Sequence, residues 1–123
     1  MDDSDTPDIL VVDNDPLVRL GTVVMLRDIG YHRAGTAEPA EVLDRVSTGK
    51  GPAILLTDYS MPEMTGAQLA RSVQAERPDT MILIMTGHDR LNDRIEDGWG
   101  VLAKPFTSME LREAIEALAA PGA

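Results

Sequence analysis

Four short aliphatic runs, at residues 9–12, 53–57, 81–85 and 101–103, each stop at a polar residue: Asp13, Asp58, Thr86 and Lys104. A run that is apolar at nearly every position reads as a strand covered on both faces, whereas a half-exposed strand would alternate. The stretches between the runs carry apolar residues at helical spacing, so strands and helices alternate along the chain. With a weaker edge strand at residues 31–35, the pattern predicts a (βα)5 chain, an α/β domain built on a parallel sheet.

The first helix opens at Asp15-Pro16, an acid able to cap its N-terminus followed by a proline at the first helical position. It is expected to run to about Ile29 and stop at Gly30, with Leu17, Leu20, Val24 and the Met25/Ile29 pair as its buried stripe. Thr36 is expected to cap the second helix, with Pro39 in the first turn and Val42, Leu43 and Val46 facing inward. Thr65 with Gln68 forms a capping box for the third helix, through about Glu76. Thr107 with Glu110 forms another for the last helix, where Leu111, Ile115 and Leu118 recur at helical spacing. Residues 88–100 offer only Leu91, Ile95 and Trp99 as an apolar stripe and contain Gly98 and Gly100, so a fourth helix there should be short or mobile. One domain is expected over residues 8–119, with residues 1–7 as a disordered lead and 120–123 as a tail.

Composition removes several function classes. Against 21 acidic residues stand 11 basic ones, and the net charge of −10 argues against direct binding to nucleic acid or an anionic membrane. The chain has no cysteine, hence neither disulfides nor thiolate metal sites. No apolar segment approaches the length of a membrane span, and the acidic start is unlike a secretory signal, so a cytoplasmic location is expected. Only 3% of the residues are aromatic, which leaves the core to aliphatic side chains with methionine as filler. His32 and His88 lack ligand-like spacing and read as solvated positions.

In an open parallel sheet, ligands bind beyond the carboxyl ends of the strands. Asp13, Asp58, Thr86 and Lys104 should therefore meet on one edge. Two acids, a hydroxyl and an ammonium suit phosphoryl transfer to a carboxylate: oxygen ligands hold a hard Mg²⁺, cationic groups neutralise the phosphoryl oxygens, and the hydroxyl donates a hydrogen bond. Clustered carboxylates repel one another, so the site needs cations for its balance. Taken singly, each residue has a plainer role: Asp13 and Asp15 as helix caps, Asp58 and Thr86 as turn formers, Lys104 as a solvated cation.

The strings ILVVDND, LLTDYSMPEMTG, MTG and KPF, in this order and each at a strand end, resemble the motifs of the response-regulator receiver family of two-component signalling. The resemblance spans nearly the whole chain. It implies a doubly wound, flavodoxin-like fold whose five-stranded sheet runs in the order 2-1-3-4-5. It also implies Asp58 as phosphoacceptor, Asp13 and Asn14 in the metal pocket, a backbone carbonyl of Ser60 on the metal, Thr86 as switch hydroxyl, and Lys104 as the ammonium on the phosphate. The Lys104-Pro105 bond corresponds to the family's cis peptide. The implied partners are a histidine kinase or phosphotransfer protein upstream and a protein downstream, with Mg²⁺ as cofactor and no enzyme activity beyond the domain's own phosphorylation and dephosphorylation.

Two positions depart from the family's pattern. Asn14 stands where a second adjacent acid usually contacts the metal, which predicts weaker Mg²⁺ affinity unless Asp15 turns inward. Val101 stands where an aromatic often couples the threonine to the output face; its plain reading is a strand-core valine, and Trp99 is a candidate substitute. These departures motivate a second reading, a degenerate receiver that docks partners without phosphorylation. A third is a haloacid-dehalogenase-like phosphatase using Asp13-Asn14-Asp15 as nucleophile and acid pair, which leaves Asp58 unexplained.

Overall fold

The aliphatic runs pair side by side in one parallel sheet. In a computed structural model describing residues 7–87 and 95–119, strands β1 (Ile9–Val12), β2 (Ala34–Thr36), β3 (Ile54–Asp58), β4 (Met81–Thr86) and β5 (Gly100–Ala103) lie in the order β2-β1-β3-β4-β5. The helices are α1 (Pro16–Asp28), α2 (Pro39–Ser47), α3 (Gly66–Glu76) and α4 (Ser108–Ala119). The expected sheet order is the observed one. Residues 1–6 and 120–123, which hold most of the expected lead and the tail, lie outside the described residues, as do 88–94 with Leu91 and His88. Of the expected fourth helix only residues 95–99 are described, and they are not helical.

Alternate side chains of the strands enter two cores. Leu10, Val12, Leu55, Ile82 and Ile84 meet Val42, Val46, Leu69 and Val73 from α2 and α3. Ile9, Val11, Ile54, Leu56, Leu83 and Met85 meet Val23, Leu26, Leu111 and Ile115 from α1 and α4. Covering both faces explains the unbroken apolar runs of β1, β3 and β4: each fully buried Leu or Ile contributes about 1.5–3 kcal/mol relative to exposure.

Helix α1 corrects the expected stripe. Its buried residues are Thr22, Val23 and Leu26, whereas Leu17, Leu20 and Val24 are 80%, 60% and 51% exposed. Apolar residues occupy several faces of this helix, and Thr22 hides its polarity by donating to the Val18 carbonyl at 2.7 Å. Met25 and Ile29 of the expected stripe do pack part-buried against this core, so a hydrophobicity count finds the inward face only in part. Helix α2 also starts differently: Thr36 ends β2, and Glu38 is the N-cap, paired with Glu41 in a capping box. The Thr65/Gln68 and Thr107/Glu110 boxes form as expected.

Candidate functional site at the carboxyl edge of the sheet

Backbone register assembles the polar residues. Val12 pairs with Thr57, so Asp13 emerges beside Asp58; Asp58 pairs with Met85, so Thr86 follows next door; Thr86 pairs with Ala103, so Lys104 comes immediately after. The Lys104 backbone N–H donates to the Thr86 carbonyl at 2.6 Å, locking those two strand ends together. Lys104 Nζ lies 2.8 Å from Asp13 Oδ2 and 3.2 Å from Asp58 Oδ1. Both carboxylates are buried, and the Lys104-Pro105 peptide is cis.

The chain matches the response regulator receiver domain over residues 9–116. It belongs to that family. This receiver is 31% identical to the chemotaxis protein CheY of Pseudomonas aeruginosa over 114 residues, covering 88% of this chain and 92% of that protein. It spans about half the length of several longer curated regulators that it also matches. A response regulator receiver protein from Sinorhizobium medicae superposes with a TM-score of 0.81 at 24% identity, covering 95% of this receiver and 98% of that chain. A chain in the crystal structure of histidine kinase ThkA with response regulator protein TrrA matches at 26% identity and a TM-score of 0.73, covering 91% of this receiver and 97% of that chain. Receivers are regulatory switches of two-component systems rather than classical enzymes. Among the described residues, no helix is long and apolar enough to cross a membrane.

The electrostatics follow from burial. Loss of water pushes the Asp58 pKa up, the charge of Asp13 pushes it further, and Lys104 together with the Tyr59 N–H opposes both without cancelling them. For Lys104, burial acts to lower the pKa, but its hydrogen bonds and charge attraction to Asp13 and Asp58 outweigh burial and leave it raised. The pocket thus holds two carboxylates around one ammonium.

The Asp15 side chain does not turn inward. Its Oδ1 accepts from the Leu17 N–H at 3.0 Å as the α1 N-cap, while its own N–H donates to Asp13 Oδ1 at 2.8 Å. The acid needed for the phosphatase reading is therefore committed to the helix. Asn14 is exposed at the mouth, in a cavity of about 250 Å³ shared with Arg19, Glu38, Met61 and Glu63. Ser60 is half-buried and lines an adjoining groove with Asn14, Tyr59 and Met61. Among the described residues, no three acids or histidines gather around a common point. The donor set is two buried carboxylates with nearby amide and carbonyl oxygens, which fits Mg²⁺: that ion commonly takes one or two carboxylates and keeps several waters.

Thr86 is half-buried at the rim. Val101 is not a core residue; it is 47% exposed on the edge strand.

Two contributors escaped the sequence reading. A Cβ on Gly66 would sit 2.3 Å from the Asp58 carbonyl oxygen, so only glycine lets α3 close against the strand end, where the Gly66 N–H donates to the Tyr59 carbonyl. The signal is the TG that closes LLTDYSMPEMTG at residues 65–66, where the capping box gives a role to Thr65 alone. Arg19 Nη1 reaches the Asp13 carbonyl at 3.3 Å and Glu38 Oε1 at 2.9 Å, bracing the β1–α1 loop against α2. No spacing rule signals that contact.

Proposed function

We propose that this receiver takes a phosphoryl group on Asp58 from a phosphohistidine of a kinase or phosphotransfer protein, and that its phosphorylated form binds a different protein partner. The observation that carries the reading is Lys104 Nζ bridging Asp13 and Asp58 at the sheet edge. An Asp58 oxygen attacks phosphorus, the P–N bond breaks, and the imidazole leaves with the electron pair. Lys104 then turns to the phosphoryl oxygens, and the Thr86 hydroxyl donates to one of them. Asp13, Asp58, the Ser60 carbonyl and the Asn14 amide would hold Mg²⁺, whose role is to neutralise charge on the transferring group. Hydrolysis resets the switch when water attacks phosphorus and the Asp58 carboxylate leaves.

The exposed stripe Leu17, Leu20 and Val24 supports a protein donor. Beside it runs a largely apolar groove of about 640 Å³, lined by Gly21, Met25, Lys104, Pro105 and Phe106, which leads toward the ammonium. A donor helix seated there would bring its phosphohistidine to Asp58.

Intact-mass measurement of the parent and Asp58→Ala after incubation with Mg²⁺ and acetyl phosphate tests the reading. One added phosphoryl group on the parent alone is expected. The exposed Asn14 and the helix-bound Asp15 favour, as a second reading, phosphorylation-independent docking. Absence of label, even with a cognate kinase, would select it.

A further inference from the structure

Strand β5 is paired with β4 along its whole length but buries only one large side chain. Gly100 is half-buried, Val101 and Ala103 are exposed, and only Leu102 is buried. As the sheet's edge, β5 pairs with β4 alone. Its far end is Lys104, bound to Asp13 and Asp58. Before its near end stands Trp99, whose Nε1 donates to Gln74 Oε1 on α3 at 2.9 Å. Arg71, one turn earlier on α3, places its guanidinium 5.9 Å from the indole centroid and pairs with Glu96 at 3.2 Å.

This clasp borders an open groove. A cavity of about 480 Å³ opens between Arg71, Gln74 and Ala75 on α3 and Ile95, Glu96 and Asp97 opposite. The start of β5 therefore rests on α3 through these polar contacts and through Ile95 and Trp99, part-buried against the core, a partly exposed edge of the kind from which locally opening elements are drawn. Trp99 and Lys104 are five residues apart, about 16 Å along an extended strand, too far for direct electrostatic contact but joined by one stiff segment.

We propose that the Trp99 clasp on α3 restrains β5 in the unphosphorylated receiver and loosens when Lys104, at the other end of the strand, re-aims from the carboxylates to a phosphoryl group on Asp58. The α3–β5 seam is then the surface that differs between the two states, and Trp99 takes over a coupling role that Val101 cannot fill. The proposal rests on Asp58 phosphorylation.

Trp99 is the sole tryptophan, so its emission reads the clasp directly. The parent is followed by fluorescence and by intact mass in the same acetyl phosphate and Mg²⁺ incubation, alongside Gln74→Leu and Gln74→Glu. Gln74→Leu removes the indole's acceptor; Gln74→Glu keeps it while losing the amide's own bond to the Thr80 carbonyl. The expected result is an emission shift in the parent as label appears. Unlabelled Gln74→Leu should already carry the shifted emission and take label several-fold faster, with Gln74→Glu close to the parent and circular dichroism unchanged throughout. Label without a shift, or equal labelling rates in parent and Gln74→Leu, overturns the clasp and leaves the phosphoacceptor reading standing. A parent that takes no label overturns that reading and the clasp with it.

Discussion

Lys104 Nζ stands 2.8 Å from Asp13 Oδ2 across 91 residues of chain, and the same ammonium reaches Asp58. It is the counterion shared by the two buried site carboxylates. Lys104→Met should leave both unbalanced, costing about 3 kcal/mol at neutral pH. Urea unfolding at several pH values checks this: the deficit should shrink in acid as the carboxylates protonate. An equal deficit at all pH values would point to lost packing instead.

Asp58→Asn should stabilise the fold at neutral pH by about 1 kcal/mol. Because the Asp58 pKa is raised on folding, the folded chain holds this proton more tightly than the unfolded one. Its favourable contribution is complete below the free-carboxylate range and is lost as pH rises through the raised value. The variant's advantage in thermal unfolding should therefore be largest at neutral pH and vanish in acid.

Asn14→Asp should tighten Mg²⁺ binding about tenfold by adding an anionic oxygen at the mouth, since Asp15 is engaged as the α1 cap. Calorimetric titration of both proteins decides it. Equal affinities would mean that position 14 does not face the ion.

Gly66→Ala forces a methyl group to 2.3 Å from the Asp58 carbonyl oxygen. A loss of about 2 kcal/mol is expected, with slower labelling of Asp58 by acetyl phosphate. Normal labelling in a destabilised variant would separate the packing role from the positioning of the acid.

On α1, Leu20→Ser should change stability by no more than about 0.5 kcal/mol, whereas Leu26→Ala should cost about 2–5 kcal/mol. If the exposed stripe receives the donor, Leu20→Ser slows labelling by a kinase but not by acetyl phosphate. Equal slowing with both donors would argue against docking there.

The sheet was legible in the residues because each central strand is buried on both faces and closes on a polar residue, a pattern that period and composition register directly. The capping boxes at Thr65 and Thr107 were legible because they are local. What stayed hidden depended on three dimensions. The inward face of α1 is legible only at Met25 and Ile29, because Leu17, Leu20 and Val24 outweigh Thr22 on any hydrophobicity count, although Thr22 is the buried one. The second cap fell on Thr36 rather than Glu38 because threonine has the stronger local preference, while strand pairing with Val11 had already claimed Thr36. Gly66 and Arg19 act on the carbonyls of Asp58 and Asp13, and a sequence gives no direct account of which carbonyl a distant group will meet.

Asp13 and Lys104 overhang the last rungs of the ladders that end at Val12–Thr57 and Thr86–Ala103. Lengthening a helix or a turn behind the sheet leaves those rungs aligned, whereas one residue inserted within β1, β3 or β5 would swing the terminal side chain to the opposite face. The pocket is thus insulated from drift in the helices behind the sheet. Under the proposed function, a receiver built this way could change partners while keeping the chemistry of its site.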